Sequence, residues 1–303
     1  MSGVAVNKTT IKELSGRLLL DENLDKYTSW RVGGRADRLY FPAGREDLVN
    51  FLKTTPSDDP VLWMGMGSNL LIRDGGVRGV VVNTRGCLKT MRLEDDGSVY
   101  VEAGVQCARV ARFCGDNNLT GAEFLAGIPG TMGGALKMNA GAFGSETWDI
   151  VETVDVVNAE GQDCTRKGSD FEISYRSVIG QEQEWFLATN LRLAAGETKS
   201  SQIKVKQLLA KRAETQPVNQ PSCGSVFRNP EGDYAARLIE ACGLKGYCIG
   251  GACVSEKHAN FIINKSQASA ADIEALIVYV QEQVQLKHNV CLQTEVCIVG
   301  ERQ

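Results

Sequence analysis

From position 127 to 144 the chain runs Gly-Ile-Pro-Gly-Thr-Met-Gly-Gly-Ala-Leu-Lys-Met-Asn-Ala-Gly-Ala-Phe-Gly, and six of these residues are glycine. So dense a run lets the backbone take positive φ and approach a neighbour with no Cβ atoms in between. Successive free N–H groups in such a segment form a concave nest that holds a phosphate or pyrophosphate. The spacing is not the dinucleotide fingerprint of a doubly wound fold, because Gly127, Gly130 and Gly133 recur every third residue. No Gly-Lys-Ser/Thr follows either, so it is not a nucleotide-hydrolase phosphate loop. By itself the run suits a tight loop packed on a helix as well as it suits a phosphate cradle.

A second segment upstream shifts that balance. Residues 61–64, Val-Leu-Trp-Met, read as a buried strand that runs into Gly65-Met66-Gly67-Ser68-Asn69-Leu70-Leu71-Ile72. A strand ending in glycines, then a hydroxyl and an amide, offers backbone donors and neutral side chains to an anion or a heterocycle edge. Further strands are expected at 39–41, 78–84 and 99–103, with helices at 46–53 and 105–117. Ala159-Glu160-Gly161 marks a hairpin between 151–158 and 162–166, and 185–193 is another strand.

The composition changes at a basic helix, 197–213, with Lys199, Lys204, Lys206, Lys211 and Arg212. A charge run of this kind is a solvated face, and the domain boundary is expected there, dividing 1–196 from 197–303. The first part splits again into 18–85 and 86–196. After the boundary come a helix at 233–242 with Asp233 as N-cap, a strand at 261–264, and a long amphipathic helix from Ser269 or Ala270 to 287. A closing strand, 291–299, carries Glu295 among apolar neighbours and is expected to return to the first part.

The 303 residues, 43% of them hydrophobic, suffice for two domains or three. A net charge of −4 and a pI near 5.5 argue against nucleic-acid binding, so an anionic ligand needs a local basic pocket. Ten cysteines lie scattered without a Cys-x-x-Cys pair, and His258 and His288 are the only histidines. No metal site is expected; mostly buried free thiols in a reducing cytoplasm are. Residues 1–20 alternate polar and apolar with Lys8 and Lys12 among them, which is not a signal peptide. No run approaches the roughly 20 apolar residues of a membrane span.

The two glycine segments in tandem, Gly-x-Gly-Ser-Asn-Leu-Leu-Ile and then Gly-Ile-Pro-Gly-Thr-x-Gly-Gly-Ala-x-x-Met-Asn-Ala-Gly-Ala, resemble the UDP-N-acetylenolpyruvoylglucosamine reductase family. Tyr27-Thr28-Ser29-Trp30-Arg31-Val32-Gly33-Gly34 is similar to the family's first signature, with Trp30 where phenylalanine is more usual. Thr294 departs from the proline common before the glutamate. The resemblance spans about residues 18 to 300, and Tyr175 directly before Arg176, with no long insertion after, is similar to the shorter of two subclasses. It implies an α+β fold: an FAD-binding fold of the vanillyl-alcohol-oxidase type in two subdomains, plus a C-terminal α+β substrate domain.

The resemblance further implies noncovalent FAD held by Gly65, Gly67, Ser68, Asn69, Leu70, Gly127, Ile128, Pro129, Gly130, Thr131, Gly133, Gly134, Asn139, Ala140 and Gly141. Bulk at Gly67 or Gly133 is then expected to cost flavin occupancy before folding. The implied reaction takes NADPH and UDP-N-acetylglucosamine enolpyruvate to UDP-N-acetylmuramate, a peptidoglycan precursor. Arg176 meets the substrate carboxylate, since a guanidinium is permanently charged and forks onto it. Glu295 assists if burial keeps it protonated, and Ser225 is the family's proton donor. Tyr175, Lys211, Arg212, Arg228 and Asn229 are expected around the sugar nucleotide. Cys223 is a chemical rival to Ser225, because a thiol of pKa about 8.5 is the better acid and an extended loop points both the same way. His258 reads as a buried, hydrogen-bonded structural residue at least as readily as a ligand contact.

Two other classes stay in view. An alcohol oxidase of the same flavin fold usually carries a histidine or cysteine attached to flavin, and no histidine precedes His258. A catalytically dead sugar-nucleotide sensor would lack Arg176, Ser225 or Glu295, all of which are present.

Overall fold

The computed structural model describes residues 14–303 and is built outward from one short strand. Val77–Asn83 carries Val80, Val81 and Val82 in succession, all fully buried, as a parallel strand covered on both faces must be. It lies between Arg35–Phe41 and Val61–Met64, parallel to both, and Arg17–Asn23 joins antiparallel to Arg35–Phe41. The pleat sorts the valines: Val80 and Val82 pack with Tyr40 on α1 (Arg45–Thr54), which supplies Leu48, Phe51 and Leu52. Val81 joins Leu39, Met64 and Ile72 on the opposite side. The strand Arg17–Asn23 escaped the sequence reading because its leucines are divided among two cores and solvent. The pattern read in residues 1–20 lies mostly outside the described residues.

The second unit is a five-stranded antiparallel sheet in the order Asp163–Lys167, Val151–Asn158, Glu184–Leu191, Val99–Glu102, Met91–Leu93. α2 (Cys107–Asp116) lays Cys107, Val110, Ala111 and Cys114 onto Val99, Val101 and Leu191, which is helical spacing on one face. α3 (Met132–Met138) occupies the middle of the glycine run, and its Leu136 packs with Trp148, Val154, Val156 and Phe186.

α4 (Thr198–Thr215) is tied back to this unit through Glu123, which is 2% exposed. The Glu123 carboxylate accepts from Ser201 Oγ, Thr120 Oγ1 and Gly121 N and pairs with Lys204 at 3.2 Å. Burial pushes its pKa up, but these hydrogen bonds outweigh it and hold the carboxyl down at about 2.

The C-terminal unit sets α5 (Ala235–Ala241) and α6 (Ala270–His288) against a small sheet of Cys248–Ile249, Ala252–Val254 and Ile262–Asn264. α6 starts at a capping box between Ser269 and Asp272 and buries Ile273, Leu276, Ile277, Val280 and Val284. Trp30 reaches into this core from the first unit, fully buried, donating from Nε1 to Ile262 O at 2.7 Å, while Asn264 Nδ2 donates to Trp30 O at 2.9 Å. The last strand, Cys297–Val299, pairs in parallel with Leu70–Ile72.

Three expectations are corrected. Residues 291–296 are not strand, because Thr294 bridges Phe227 and Glu295 N turns to Val226 O, pulling the backbone aside. Asp233 does not cap α5: its carboxylate accepts from Tyr234 N and pairs with Arg237, and Asn229 Oδ1 takes the N–H of Ala235 instead. The thiols are not all free, since Cys248 and Cys253 sit directly opposite in an antiparallel pair, Cα atoms 4.1 Å apart, and form a disulfide. Of the other eight, Cys87, Cys107, Cys114 and Cys223 are buried, Cys242 is half-buried, and Cys164, Cys291 and Cys297 are exposed. No helix among the described residues is long and apolar enough to cross a membrane.

Candidate active site

The glycine segments face each other. A Cβ on Gly65 would lie 2.6 Å from Thr131 Oγ1, and one on Gly130 3.3 Å from Ser68 Oγ. Among the described residues, none of the backbone N–H groups from Gly65 to Asn69 has an acceptor, and neither does that of Thr131. Consecutive orphan donors of this kind fit an anionic group such as a pyrophosphate. The two segments are not uniform, however. Gly133 and Gly134 lie in the first turn of α3, and a Cβ on Gly133 would press on Ala103 at 3.0 Å. Gly67 has φ +61°, and a Cβ there would overlap the Tyr27 carbonyl oxygen. Both glycines therefore answer to protein neighbours, so bulk at either is expected to disturb packing as well as any flavin contact.

Asn69 and Asn139 commit their amides to the protein. Asn69 Nδ2 donates to Glu295 O and approaches Met138 Sδ, both at 3.0 Å, and its backbone carbonyl accepts from Cys297 N. Asn139 takes the left-handed conformation that ends α3. Its Nδ2 donates to Glu146 Oε2 at 2.7 Å and Ser174 O at 3.2 Å, and its Oδ1 accepts from Trp148 N.

Tyr175 and Arg176 form the turn of the hairpin Glu172–Ser174 and Ser177–Ile179, with Arg176 at φ 57°. That turn aims Arg176 back across the end of α3. Its Nε donates to Glu295 Oε1 at 3.1 Å, Nη1 to Asn139 O at 3.2 Å and Nη2 to Gly141 O at 2.8 Å, and Glu146 Oε1 lies 3.7 Å from Nη1. Arg176 is thus braced by all three nitrogens, more fully than a free fork awaiting a carboxylate. The two side chains are only 15% and 14% exposed. Burial raises the Glu295 pKa despite the opposing pull of Arg176 and Arg228.

Ser225 stands one residue before Val226, whose carbonyl accepts from Glu295 N at 2.7 Å. The serine is half-buried, and the loop turns sharply at Gly224, φ +84°. The loop is therefore not extended, and Cys223 is 5% exposed in the C-terminal core. Burial, then the Glu295 charge, pushes the Cys223 thiol well up, which weakens it as an acid.

The remaining expected residues divide. Arg212 lines a cleft of about 350 Å³ with Arg31, Pro129, Ser222 and Gly224. Its pKa is lowered by burial, and its Nε donates to Gln216 Oε1 at 3.1 Å, while Lys211 beside it is exposed. Arg228 keeps a buried Nε with no partner among the described residues, and its charge acts on Glu295. Asn229 is exposed and serves α5, and Tyr175 is 45% exposed with the Arg176 guanidinium 5.0 Å from its ring centre. His258 is half-buried against Phe261; burial lowers its pKa, and its Nδ1 has no partner among the described residues, which departs from the hydrogen-bonded structural histidine that was one of the two readings. Glu146 and Asn260, which brace Arg176 and the Ser225 loop, were missed, because nothing in the sequence distinguishes them from surface polar residues. Among the described residues no cluster of His, Cys, Asp and Glu could hold a metal.

Residues 36–165 match a family described as "FAD binding domain", and residues 216–299 match "UDP-N-acetylenolpyruvoylglucosamine reductase, C-terminal domain". A UDP-N-acetylenolpyruvoylglucosamine reductase of Legionella pneumophila (strain Lens) is 55% identical over 302 residues, covering 99% of this chain and 98% of the relative. One of Methylococcus capsulatus is 56% identical over 288 residues, 95% of each. The crystal structure of the Thermus caldophilus enzyme, 31% identical, superposes with a TM-score of 0.80 over 94% of this chain and 99% of that one. The α+β fold with an FAD-binding domain expected from the sequence is the one observed, and the orphan donors of the glycine segments suit that cofactor. On identity along nearly its whole length and two family domains matched in order, the chain belongs to the UDP-N-acetylenolpyruvoylglucosamine reductase family, as an FAD-dependent oxidoreductase.

Proposed function

We propose that this enzyme reduces UDP-N-acetylglucosamine enolpyruvate to UDP-N-acetylmuramate with NADPH as electron source, in the cytoplasm, and that Ser225 delivers the proton. The observation that carries the reading is the Arg176–Glu295 pair at 3.1 Å, with Glu295 bonded through its backbone to the residue after Ser225. Residues 65–70 and 127–141 would hold FAD noncovalently, and the bound flavin would supply hydride transfer between NADPH and the enolpyruvyl group. The Ser225 hydroxyl gives its proton to the adjacent α-carbon, whose neighbouring carboxylate carries the developing charge. Arg176 and a protonated Glu295 stabilise that charge by hydrogen bonds formed in a site closed to water. Burial pushes the Glu295 pKa up, and a substrate carboxylate beside it would push the same way, which favours the protonated form in the complex.

Arg212, Lys211 and Arg228 supply positive charge for the diphosphate, with Tyr175 and Asn229 beside the sugar. The unpartnered Nε of Arg228 supports an anionic neighbour there. We read residues 1–196 as the FAD-binding region and 197–303 as the substrate domain, with the last strand returned to the first. The test is direct: purified protein is yellow, releases its flavin on denaturation, loses colour with NADPH and regains it with the enolpyruvyl sugar nucleotide. Flavin that stays with precipitated protein, or colour that does not return, overturns the reading.

A further inference from the structure

We infer that Asn260 is the positioning residue for Ser225: it fixes the serine hydroxyl relative to Glu295, and it rests on the reading of Ser225 as proton donor. The Asn260 side chain engages both backbone polar groups of a single residue, Phe227. Its Oδ1 accepts from Phe227 N at 2.9 Å and its Nδ2 donates to Phe227 O at 2.8 Å. Its own carbonyl accepts from Val226 N at 2.9 Å. Both residues that follow Ser225 are therefore tied to the segment entering the strand Ile262–Asn264. Asn260, Val226 and Phe227 are 3%, 0% and 2% exposed, so no water competes for these bonds.

The other edge of the same loop is tied to the segment carrying Glu295. Glu295 N donates to Val226 O at 2.7 Å, Arg228 N donates to Gln293 O at 2.9 Å, and Phe227 bridges Thr294. The loop is thus clamped like a short strand between Asn260 and residues 293–295, with Ser225 at the mouth of the clamp. Asn260 is too deeply buried to meet a ligand, and its effect on chemistry passes through the loop. Only an amide serves both directions here, since a carboxylate has no hydrogen for Phe227 O and an aliphatic side chain has neither partner. A displacement of about 1 Å in a reacting group costs on the order of 10²-fold in rate.

The test compares holoenzymes carrying Asn260→Asp, Asn260→Ser, Ser225→Ala, and Ser225→Ala with Asn260→Asp, following flavin absorbance by rapid mixing. With Asn260→Asp or Asn260→Ser, bleaching by NADPH stays within about twofold of wild type, whereas recolouring by the enolpyruvyl substrate slows by about 10- to 100-fold. The Asn260→Asp deficit narrows as pH falls, because a protonated carboxyl regains a hydrogen to donate to Phe227 O. The double variant is no slower than Ser225→Ala alone, as expected when one residue acts through the other. Independently of catalysis, the Phe227 amide exchanges its hydrogen faster in Asn260→Ser than in wild type.

Equal slowing of both half-reactions, unchanged recolouring, or losses that multiply in the double variant each overturn the inference. Normal recolouring in Ser225→Ala removes the donor reading itself, which separates that failure from failure of the clamp.

Discussion

Replacing Arg176 by alanine isolates the price of a stranded carboxylate. The guanidinium and the Glu295 carboxylate are 15% and 14% exposed, and the bond between them is 3.1 Å. Without Arg176 the buried carboxylate escapes by taking a proton, which at pH 7 costs at most 1.36 kcal/mol for each unit above its ordinary value of 4.5, about 3 kcal/mol. Part of that penalty already exists, since burial outweighs Arg176 in the intact protein. The substitution therefore adds less than that ceiling, on the order of 1–2 kcal/mol at pH 7. The sign follows from the raised pKa: the folded state holds the proton more tightly, so the penalty is absent below about pH 4.5 and grows as pH rises through the folded value. Urea midpoints measured at fixed flavin concentration are expected to show the gap between wild type and Arg176→Ala widening from pH 5 to pH 8. Adding Glu295→Gln to the variant should remove that pH dependence. A gap that stays constant with pH, or survives Glu295→Gln unchanged, refutes the reasoning.

Glu123→Gln should destabilise the protein by about 1–2 kcal/mol at pH 7, a reduced figure because Lys204 is 57% exposed and screened. Its depressed pKa means that the wild-type advantage persists above about pH 4.5 and disappears as pH falls towards 2; thermal melts across that range check it. Gly67→Ala should lower stability by about 2–4 kcal/mol in protein stripped of flavin as well as in the holoenzyme, from the left-handed backbone and the overlap with Tyr27 O. Unchanged melting of the stripped variant together with lost flavin binding would restore the ligand-approach explanation.

The elements most legible in the sequence were those whose pattern and burial agree. Val80, Val81 and Val82 announce a strand covered on both faces, and α2 shows its stripe at Cys107, Val110, Ala111 and Cys114. Gly133 carries a packing constraint that the sequence does not show, because a glycine that admits Ala103 and one that admits a phosphate look alike there. The strand expected through Glu295 failed since long-range bonds to Val226 and Phe227 override local β preference. The juxtaposition of Arg176 with Glu295, 119 positions apart, came from resemblance and not from spacing. Asn260 was beyond reach for the same reason: its partners lie 33 positions away, and no local pattern marks an amide that completes another segment's backbone.

The central claim, that Ser225 rather than its neighbour Cys223 protonates the substrate, is tested by rapid mixing of two variants. Ser225→Ala should bleach with NADPH at near the wild-type rate and then recolour on the order of 10²–10⁴ more slowly with the enolpyruvyl substrate, the worth of a positioned general acid. Cys223→Ala, whose thiol lies in the core with its pKa pushed up, should turn over within a few-fold of wild type. Rapid recolouring in Ser225→Ala, or its collapse in Cys223→Ala with the fold intact, would contradict the account.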